Sequence, residues 1–224
     1  MASFEQQRAR MVERQLRARG IRDPRVLAAM GEVPREAFVP ERWRSAAYDD
    51  GPLPIGEEQT ISQPYVVALM IEAAGVAPGD RVLEVGAGSG YAAAVLSRIA
   101  DHVFAVERHA TLAEVAHRRL HDLGYDRVTA LTGDGSLGLA QEAPFDAILV
   151  AAASAGVPEP LRRQLAIGGR LVIPVGGTAV QKLLRLTRTS DDSWREDDLG
   201  AVRFVPLIGA QAWPDRATFD RQGD

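Results

Sequence analysis

Four side chains stand where they could handle a small charged molecule: Glu84, Glu107, Asp134 and Ser62. Glu84 belongs to the run Arg81-Val-Leu-Glu-Val-Gly-Ala-Gly-Ser-Gly-Tyr91, two residues before the first of three alternating glycines, Gly86, Gly88 and Gly90. Glycine allows positive φ and lets backbone amides approach a ligand closely, so the turn Gly86-Ala87-Gly88 is a candidate cradle. A dinucleotide fingerprint would need G-x-G-x-x-G, but the third glycine comes one residue early and Tyr91 occupies its place. A carboxylate at position 84 would oppose a pyrophosphate. It suits a ligand that carries an amino group and a sulfonium.

Glu107 follows roughly twenty residues after the first glycine, where an acidic side chain can accept from both hydroxyls of a ribose. Asp134 can accept from the amino group of adenine, and Gly135 lets the chain lie close to the ring. Each residue also has a plainer reading: an ordinary strand-to-helix loop, a surface charge at a strand end, an Asp-Gly turn. Their joint placement is what points to S-adenosylmethionine. Ser62 precedes Pro64 and the apolar run Val66, Val67, Leu69, Met70 and Ile71. By pattern alone it reads as a helix N-cap with proline in the first turn.

Alternating elements must hold these groups. Apolar runs predict strands at Arg81 to Val85, His102 to Val106, Val128 to Thr132, Phe145 to Val150 and Arg170 to Val175. Helices are predicted from Ala92 onward, over Leu112 to Leu123 and near Pro160 to Leu165. Lys182 to Thr189 and Ala201 to Leu207 read as strands flanking the polar stretch Ser190 to Asp198, a closing antiparallel pair. The expectation is α/β: a Rossmann-like, doubly wound, mostly parallel sheet that binds its ligand beyond the carboxyl ends of the strands.

Ahead of it, a helix over Phe4 to Arg19 stopped by Gly20, and a second begun by Asp23-Pro24, form a helical cap. Tyr48 to Pro64 is dense in turn formers with no helical or strand period and reads as a structured loop, a length that is often functional. A single domain over residues 1–224 is expected, with 1–64 as cap and substrate loop and 65–224 as core.

Composition narrows the classes. A formal charge of −4 provides no broad basic field for nucleic acid, and the absence of cysteine excludes disulfides, zinc thiolates and a thiol nucleophile. The first residues lack the apolar core of a signal peptide, and Ala147 to Val157 is too short to span a bilayer. A cytoplasmic monomer without membrane contact is the expectation. His117 and His121, four apart with Glu114 nearby, could hold a metal. Arg118 and Arg119 beside them favour a solvated helix face, and no metal is expected.

The motifs resemble more than a superfamily. Glu84 to Gly90 is similar to motif I of Rossmann-like methyltransferases. Val12-Glu-Arg-Gln-Leu16, Leu53-Pro-Ile-Gly, Gln59-Thr-Ile-Ser-Gln-Pro-Tyr65, Gly133-Asp-Gly135, Pro174-Val-Gly176 and Ala201-Val-Arg-Phe-Val-Pro-Leu207 resemble the protein-L-isoaspartate O-methyltransferases over nearly the whole chain. The resemblance implies methyl transfer from S-adenosylmethionine to the α-carboxylate of L-isoaspartyl residues in damaged proteins and peptides, releasing S-adenosylhomocysteine. The ester then cyclises to a succinimide that partly reopens as aspartate.

It makes Ser62 the active-site residue, against the N-cap reading. Gln59, Thr60, Ile61, Val205 and Leu207 become substrate-binding. Cofactor contacts are assigned to Thr60, Glu84, Gly86, Ala87, Gly88, Gly90, Glu107, Arg108, Asp134 and Gly135. Three departures from the family pattern touch substrate choice: Glu58 where glycine is frequent, and Ala151 and Ser154 where bacterial relatives tend to carry threonine and proline.

Other readings stay open beside this one. A relative could methylate a dedicated peptide or another carboxylate, and a binding module could keep the fold without turnover. A base N-methyltransferase is disfavoured by Ala152-Ala153-Ser154 where an Asn/Asp-Pro-Pro-aromatic motif would stand. A metal-dependent O-methyltransferase is disfavoured by Ala151, and an NAD-linked oxidoreductase by Glu84 and the glycine spacing.

Overall fold

The computed structural model describes residues 2–177 and 179–214; the outer limits of the single-domain reading, 1 and 224, lie outside the described residues. A seven-stranded sheet runs β5-β4-β3-β6-β7-β8-β9 across the molecule. Its members are β3 (Arg81–Val85), β4 (His102–Glu107), β5 (Val128–Thr132), β6 (Phe145–Val150), β7 (Leu165–Gly176), β8 (Gln181–Ser190) and β9 (Ser193–Val202). The first five pair in parallel, and β8 and β9 are antiparallel. Strands β3, β4 and β5 build outward in one direction, then β6 returns to the other side of β3. The order therefore reverses between β3 and β6, and a crevice opens beyond their carboxyl ends.

Burial on both faces explains the near-continuous apolar runs of the central strands. Val82, Val103, Ala105, Ala147 and Leu149 face one core, shared with α3 (Pro64–Ala74), α4 (Tyr91–Ser97) and the N-terminal cap. Leu83, Val85, Phe104, Val106, Ile148 and Val150 face the other, which includes Leu161, Leu165 and Leu207. The period-two alternation puts Glu84 on the same face as Val82.

The cap follows its signals and then departs from them. Ser3 and Gln6 form a reciprocal capping box for α1 (Phe4–Met11), and Asp23 accepts from the Arg25 amide at 2.8 Å to start α2 (Pro24–Glu32). The long first helix keeps α geometry only to Met11. Residues Val12–Leu16 widen into a π turn and Arg17–Arg19 tighten into a 3-10 turn before Gly20 ends it at φ 103°. Met11, Val12 and Leu16 are all buried by this path. Glu72 of α3 ties cap to core by accepting the amides of Arg22 and Asp23, each at 2.6 Å.

Two expectations need correction. The stretch Tyr48 to Pro64 contains an antiparallel hairpin, β1 (Leu53–Gly56) with β2 (Gln59–Ile61), turned by Glu57 and Glu58 at φ 49° and 56°. Two-residue hairpin turns favour Asn-Gly for its left-handed backbone, and a pair of glutamates carries no such signal. The second strand of the closing pair is the polar stretch itself, Ser193–Val202, not Ala201 to Leu207. An edge strand needs little burial, and cross-strand pairs such as Arg185 with Asp197 at 3.0 Å suit it. Residues 203–213 leave the sheet.

Candidate active site

A cavity of about 420 Å³ occupies the crevice beyond β3, β4 and β6. Glu84 forms part of its wall and is only 2% exposed. Its Oε2 has no hydrogen-bond partner among the described residues. Burial first, then the neighbouring Glu107 carboxylate, push its carboxyl up to about 8, with partial relief from the Ala93 backbone. A buried carboxylate left this way is a costly arrangement that a cation or ammonium donor would satisfy. The side chain thus fits the amino group expected of the cofactor.

The glycine turn beside it is shaped by three left-handed residues: Gly86 at φ 88°, Gly88 at 51° and Gly90 at 85°. Gly86 and Ala87 both donate to the Val106 carbonyl, at 2.8 and 3.2 Å, which pins the turn to the end of β4. Ile55 of the hairpin reaches to 3.1 Å from where a Cβ on Gly88 would sit. A side chain there would crowd the Ile55 methyl and sit on a left-handed backbone that glycine adopts without strain.

Glu107 ends β4 in the same cavity. One of its oxygens accepts from the Gly88 amide at 2.9 Å and the other from the His109 amide at 3.0 Å. Each oxygen keeps a further acceptor direction, enough for a ribose diol. Gly135 needs to be glycine for a different reason. Its Cβ would strike Val85 Cγ1, so the chain can pass the end of β3 only without a side chain.

Asp134 does not line the cavity, although Gly135 does. Its Oδ1 accepts from the Ser136 amide at 2.9 Å and the Ser136 hydroxyl at 2.6 Å, and its Oδ2 from the Ala210 amide at 2.7 Å. Burial alone would raise its pKa, but these hydrogen bonds outweigh burial and hold it below the ordinary value. Ser136 and Ala210 thus take three of its roughly four acceptor directions and leave one for the adenine amino group expected from the sequence.

Ser62 is freed from the capping role its pattern suggests. The N-cap position of α3 falls on Gln63, which makes no side-chain cap, and Pro64 is the first helical residue. The Ser62 side chain lines the cavity and makes no hydrogen bond to the other described residues. Gln59, Thr60 and Ile61 of β2 line the same cavity, and Gln59 Nε2 donates to the Glu57 carbonyl at 3.0 Å. Val205 and Leu207 line the same cavity. Arg108 also reaches the cavity.

Of the two departures after β6, Ala151 lines the cavity, whereas Ser154 is 2% exposed and bridges by its backbone to Pro174 and Gly176. Glu58 lies at the exposed rim.

Some lining residues carried no local signal. His109 places its Nδ1 3.8 Å from Glu57 Oε2, and Thr111 donates to Glu57 Oε1 at 2.7 Å, so the hairpin tip is tied to the start of α5 (Ala110–Asp122). Tyr91 is buried with the Arg35 guanidinium 5.0 Å over its ring. Both pairings exist only through the fold. Among the described residues no cluster of metal-ligating side chains occurs, and no helix is long and apolar enough to cross a membrane.

Comparison with known proteins places this geometry. A family model described as protein-L-isoaspartate(D-aspartate) O-methyltransferase matches residues 6–212. Protein-L-isoaspartate O-methyltransferase 1 of Rhodopseudomonas palustris (strain HaA2) is 59% identical over 212 residues, covering 94% of this chain and 86% of the relative. The Roseiflexus sp. (strain RS-1) protein-L-isoaspartate O-methyltransferase is 65% identical over 195 residues, covering 87% and 89%. A solved protein-L-isoaspartate O-methyltransferase superposes with a TM-score of 0.81 at 32% identity, covering 92% of this chain and 67% of that one. A Plasmodium falciparum beta-aspartate methyltransferase, solved with S-adenosyl-L-homocysteine, gives 0.77 at 27% identity, covering 90% and 98%.

Proposed function

We infer the reaction from one premise: the chain belongs to the protein-L-isoaspartate(D-aspartate) O-methyltransferase family. It is an S-adenosylmethionine-dependent enzyme that methylates the α-carboxylate of L-isoaspartyl residues in damaged proteins and peptides, the step that initiates their repair. Bound in the cavity, the cofactor supplies an activated methyl group on a sulfonium.

The acceptor needs no strong general base, because a carboxylate with a reference pKa of about 3.9 is already ionised at neutral pH. The protein must instead align and dry the reacting atoms. Orientation of this kind can contribute roughly 7 to 11 kcal/mol. In this reading Glu84 holds the cofactor's amino group, Glu107 its ribose hydroxyls, and the turn Gly86-Ala87-Gly88 lies along the adenosyl portion, with Gly90, Arg108, Gly135 and Thr60 bordering it. Ser62 donates a hydrogen bond that orients the substrate carboxylate or the backbone around it, and does not become a covalent nucleophile. Gln59, Thr60, Ile61, Val205 and Leu207 supply the walls that receive the peptide and exclude water.

The observation that carries the proposal is the Ser62 hydroxyl, unused by any cap, in the cavity it shares with the glycine turn and the orphaned Glu84 carboxyl. The same reading carries the expectation of a cytoplasmic monomer. Incubation with methyl-labelled cofactor and a matched peptide pair, one isoaspartyl and one aspartyl, tests the substrate. Base-labile methanol from the isoaspartyl peptide alone is expected. Label in neither, or equally in both, would remove this substrate.

A further inference from the structure

Ser62 is the single residue between the end of β2 and the N-cap of α3, so whatever holds its two neighbours decides where its hydroxyl points. On the β2 side the hairpin holds it. Ile61 pairs with Leu53, and the Glu57 carboxylate at the hairpin tip accepts from Thr111 at 2.7 Å. On the α3 side there is no ordinary anchor. Gln63 makes no cap bond, and Pro64 after it has no amide hydrogen and holds the Gln63 backbone outside the helical region, at φ −49° and ψ 136°.

Asp50 supplies the missing anchor from 13 residues upstream. Gln63 Nε2 donates to Asp50 Oδ1 at 2.7 Å and approaches the Asp50 carbonyl at 3.3 Å. Arg19 Nη1 donates to both oxygens of the same carboxylate, at 3.2 and 3.0 Å. The Arg19 guanidinium also stands 3.6 Å over the ring of Tyr65, in the first turn of α3. These contacts close a circuit from cap to Asp50, from Asp50 to Gln63, and from α3 back to the cap. Asp50 and Leu53, three residues apart, therefore clamp both flanks of Ser62, one through Gln63 and the other through Ile61. By pattern Asp50 is a turn residue before Gly51-Pro52 and Arg19 a solvated charge; only the fold brings them together. Their side chains stay 44% and 41% exposed, so as an ion pair they contribute little to stability. Their effect is on position, to which a reacting geometry is far more sensitive.

We propose that Asp50 is a positioning residue for methyl transfer: through Gln63, and braced by Arg19, it fixes the Ser62 hydroxyl in the cavity. This role rests on the reading of Ser62 as the group that orients the substrate carboxylate.

A double-mutant cycle on the full chain, with an isoaspartyl peptide, tests it. Asp50→Ala alone should lower kcat by about 3- to 10-fold, the scale of one net hydrogen bond, while S-adenosylhomocysteine affinity stays within about twofold. Asp50→Asn, which keeps an oxygen for Gln63, should lose less than Asp50→Ala. In a Ser62→Ala background the Asp50→Ala change should cost less than about twofold, because the group it positions is gone. Equal losses with and without the Ser62 hydroxyl would overturn the role, as would unaltered kcat in Asp50→Ala. Gln63→Ala runs the same cycle from the other partner and decides the question in the same way should Asp50→Ala fail to fold. Amide exchange needs no turnover and separates this failure from failure of the methyl-transfer reading. Exchange across residues 59–67, which include the Val67 amide bonded to the Gln63 carbonyl at 3.2 Å, should quicken by about threefold or more in Asp50→Ala. No methyl transfer by the unaltered chain would remove the reaction and leave the clamp supported by quickened exchange; unchanged exchange would overturn the clamp whatever the turnover.

Discussion

S-adenosylhomocysteine should bind more tightly as pH rises from 5.5 to 7.5, and Glu84 is the reason. Its carboxyl, buried beside Glu107, is pushed up to about 8 in the free protein. A ligand amino group is satisfied only by the ionised form. At pH 7 about one-tenth of the molecules carry Glu84 ionised, an offset of about 1.4 kcal/mol, and at pH 6 about one in a hundred do. The apparent Kd should therefore fall about tenfold per pH unit across this window, which lies below the range where an α-amino group loses its own proton, about 7.7 to 8.0. Titration calorimetry in buffers of different ionisation enthalpy should show close to one proton released per ligand at pH 6.5.

Glu84→Gln should flatten the pH profile. The folded carboxyl lies above its unfolded value of 4.5, so its stabilising contribution is complete below that value and is lost as pH rises through 8. The Tm of the ligand-free protein should accordingly decline between pH 4.5 and about 8 and level off above it, and ligand should offset the decline. A Kd that stays flat from pH 5.5 to 7.5 with no proton released would refute the assignment of Glu84 to the amino group.

Three further outcomes follow from the site. Ser62→Ala should lower kcat for an isoaspartyl peptide by roughly 10- to 150-fold, the loss of one hydrogen bond to a charged group of about 1.5 to 3 kcal/mol, while S-adenosylhomocysteine affinity stays within about twofold. Equal turnover would remove Ser62 from the mechanism. Glu107→Ala should weaken S-adenosylhomocysteine by about tenfold or more in calorimetry, because it removes the ribose acceptor and frees the Gly88 and His109 amides; undiminished affinity would contradict its role. Glu58→Gly should stabilise the protein by up to about 1 kcal/mol, because φ 56° is unstrained for glycine, and raise Tm by about 2 to 4 °C. It should also erode any preference for peptides with basic residues near the isoaspartate, so an unchanged preference would leave Glu58 without a part in selection.

The parallel half of the sheet was legible because its central strands are buried on both faces, so Val103 to Val106 is a continuous apolar run and Val82 to Val85 and Phe145 to Val150 are each broken by a single carboxylate, Glu84 and Asp146. The glycine turn and Glu107 were legible because their spacing is local. What stayed hidden depends on contacts distant in sequence. The hairpin turn places two glutamates in left-handed backbone, which no residue preference announces. β9 is a polar edge strand that looks like a loop when read by hydropathy. Asp134 sits in a Gly-Asp-Gly motif that suggests a ligand, and nothing local announces that it also accepts from the Ala210 amide, 76 residues away. The resemblance to a family corrected the reading of Ser62 where pattern favoured a cap, and the structure supplies the physical reason: α3 begins one residue later, at Gln63 and Pro64.

Turnover, on the proposed function, rests on geometry: the segment bearing Ser62 delivers an ionised carboxylate to a donor held by Glu84 and Glu107. A crystal structure with S-adenosylhomocysteine and an isoaspartyl peptide bound together measures this most directly. The amino group is expected on Glu84, the ribose on Glu107, and the α-carboxylate within hydrogen-bond reach of Ser62 Oγ and in line with the sulfur, about one methyl group away. A peptide carboxylate bound out of reach of Ser62, or an adenosyl group that leaves Glu84 and Glu107 without contact, would contradict it.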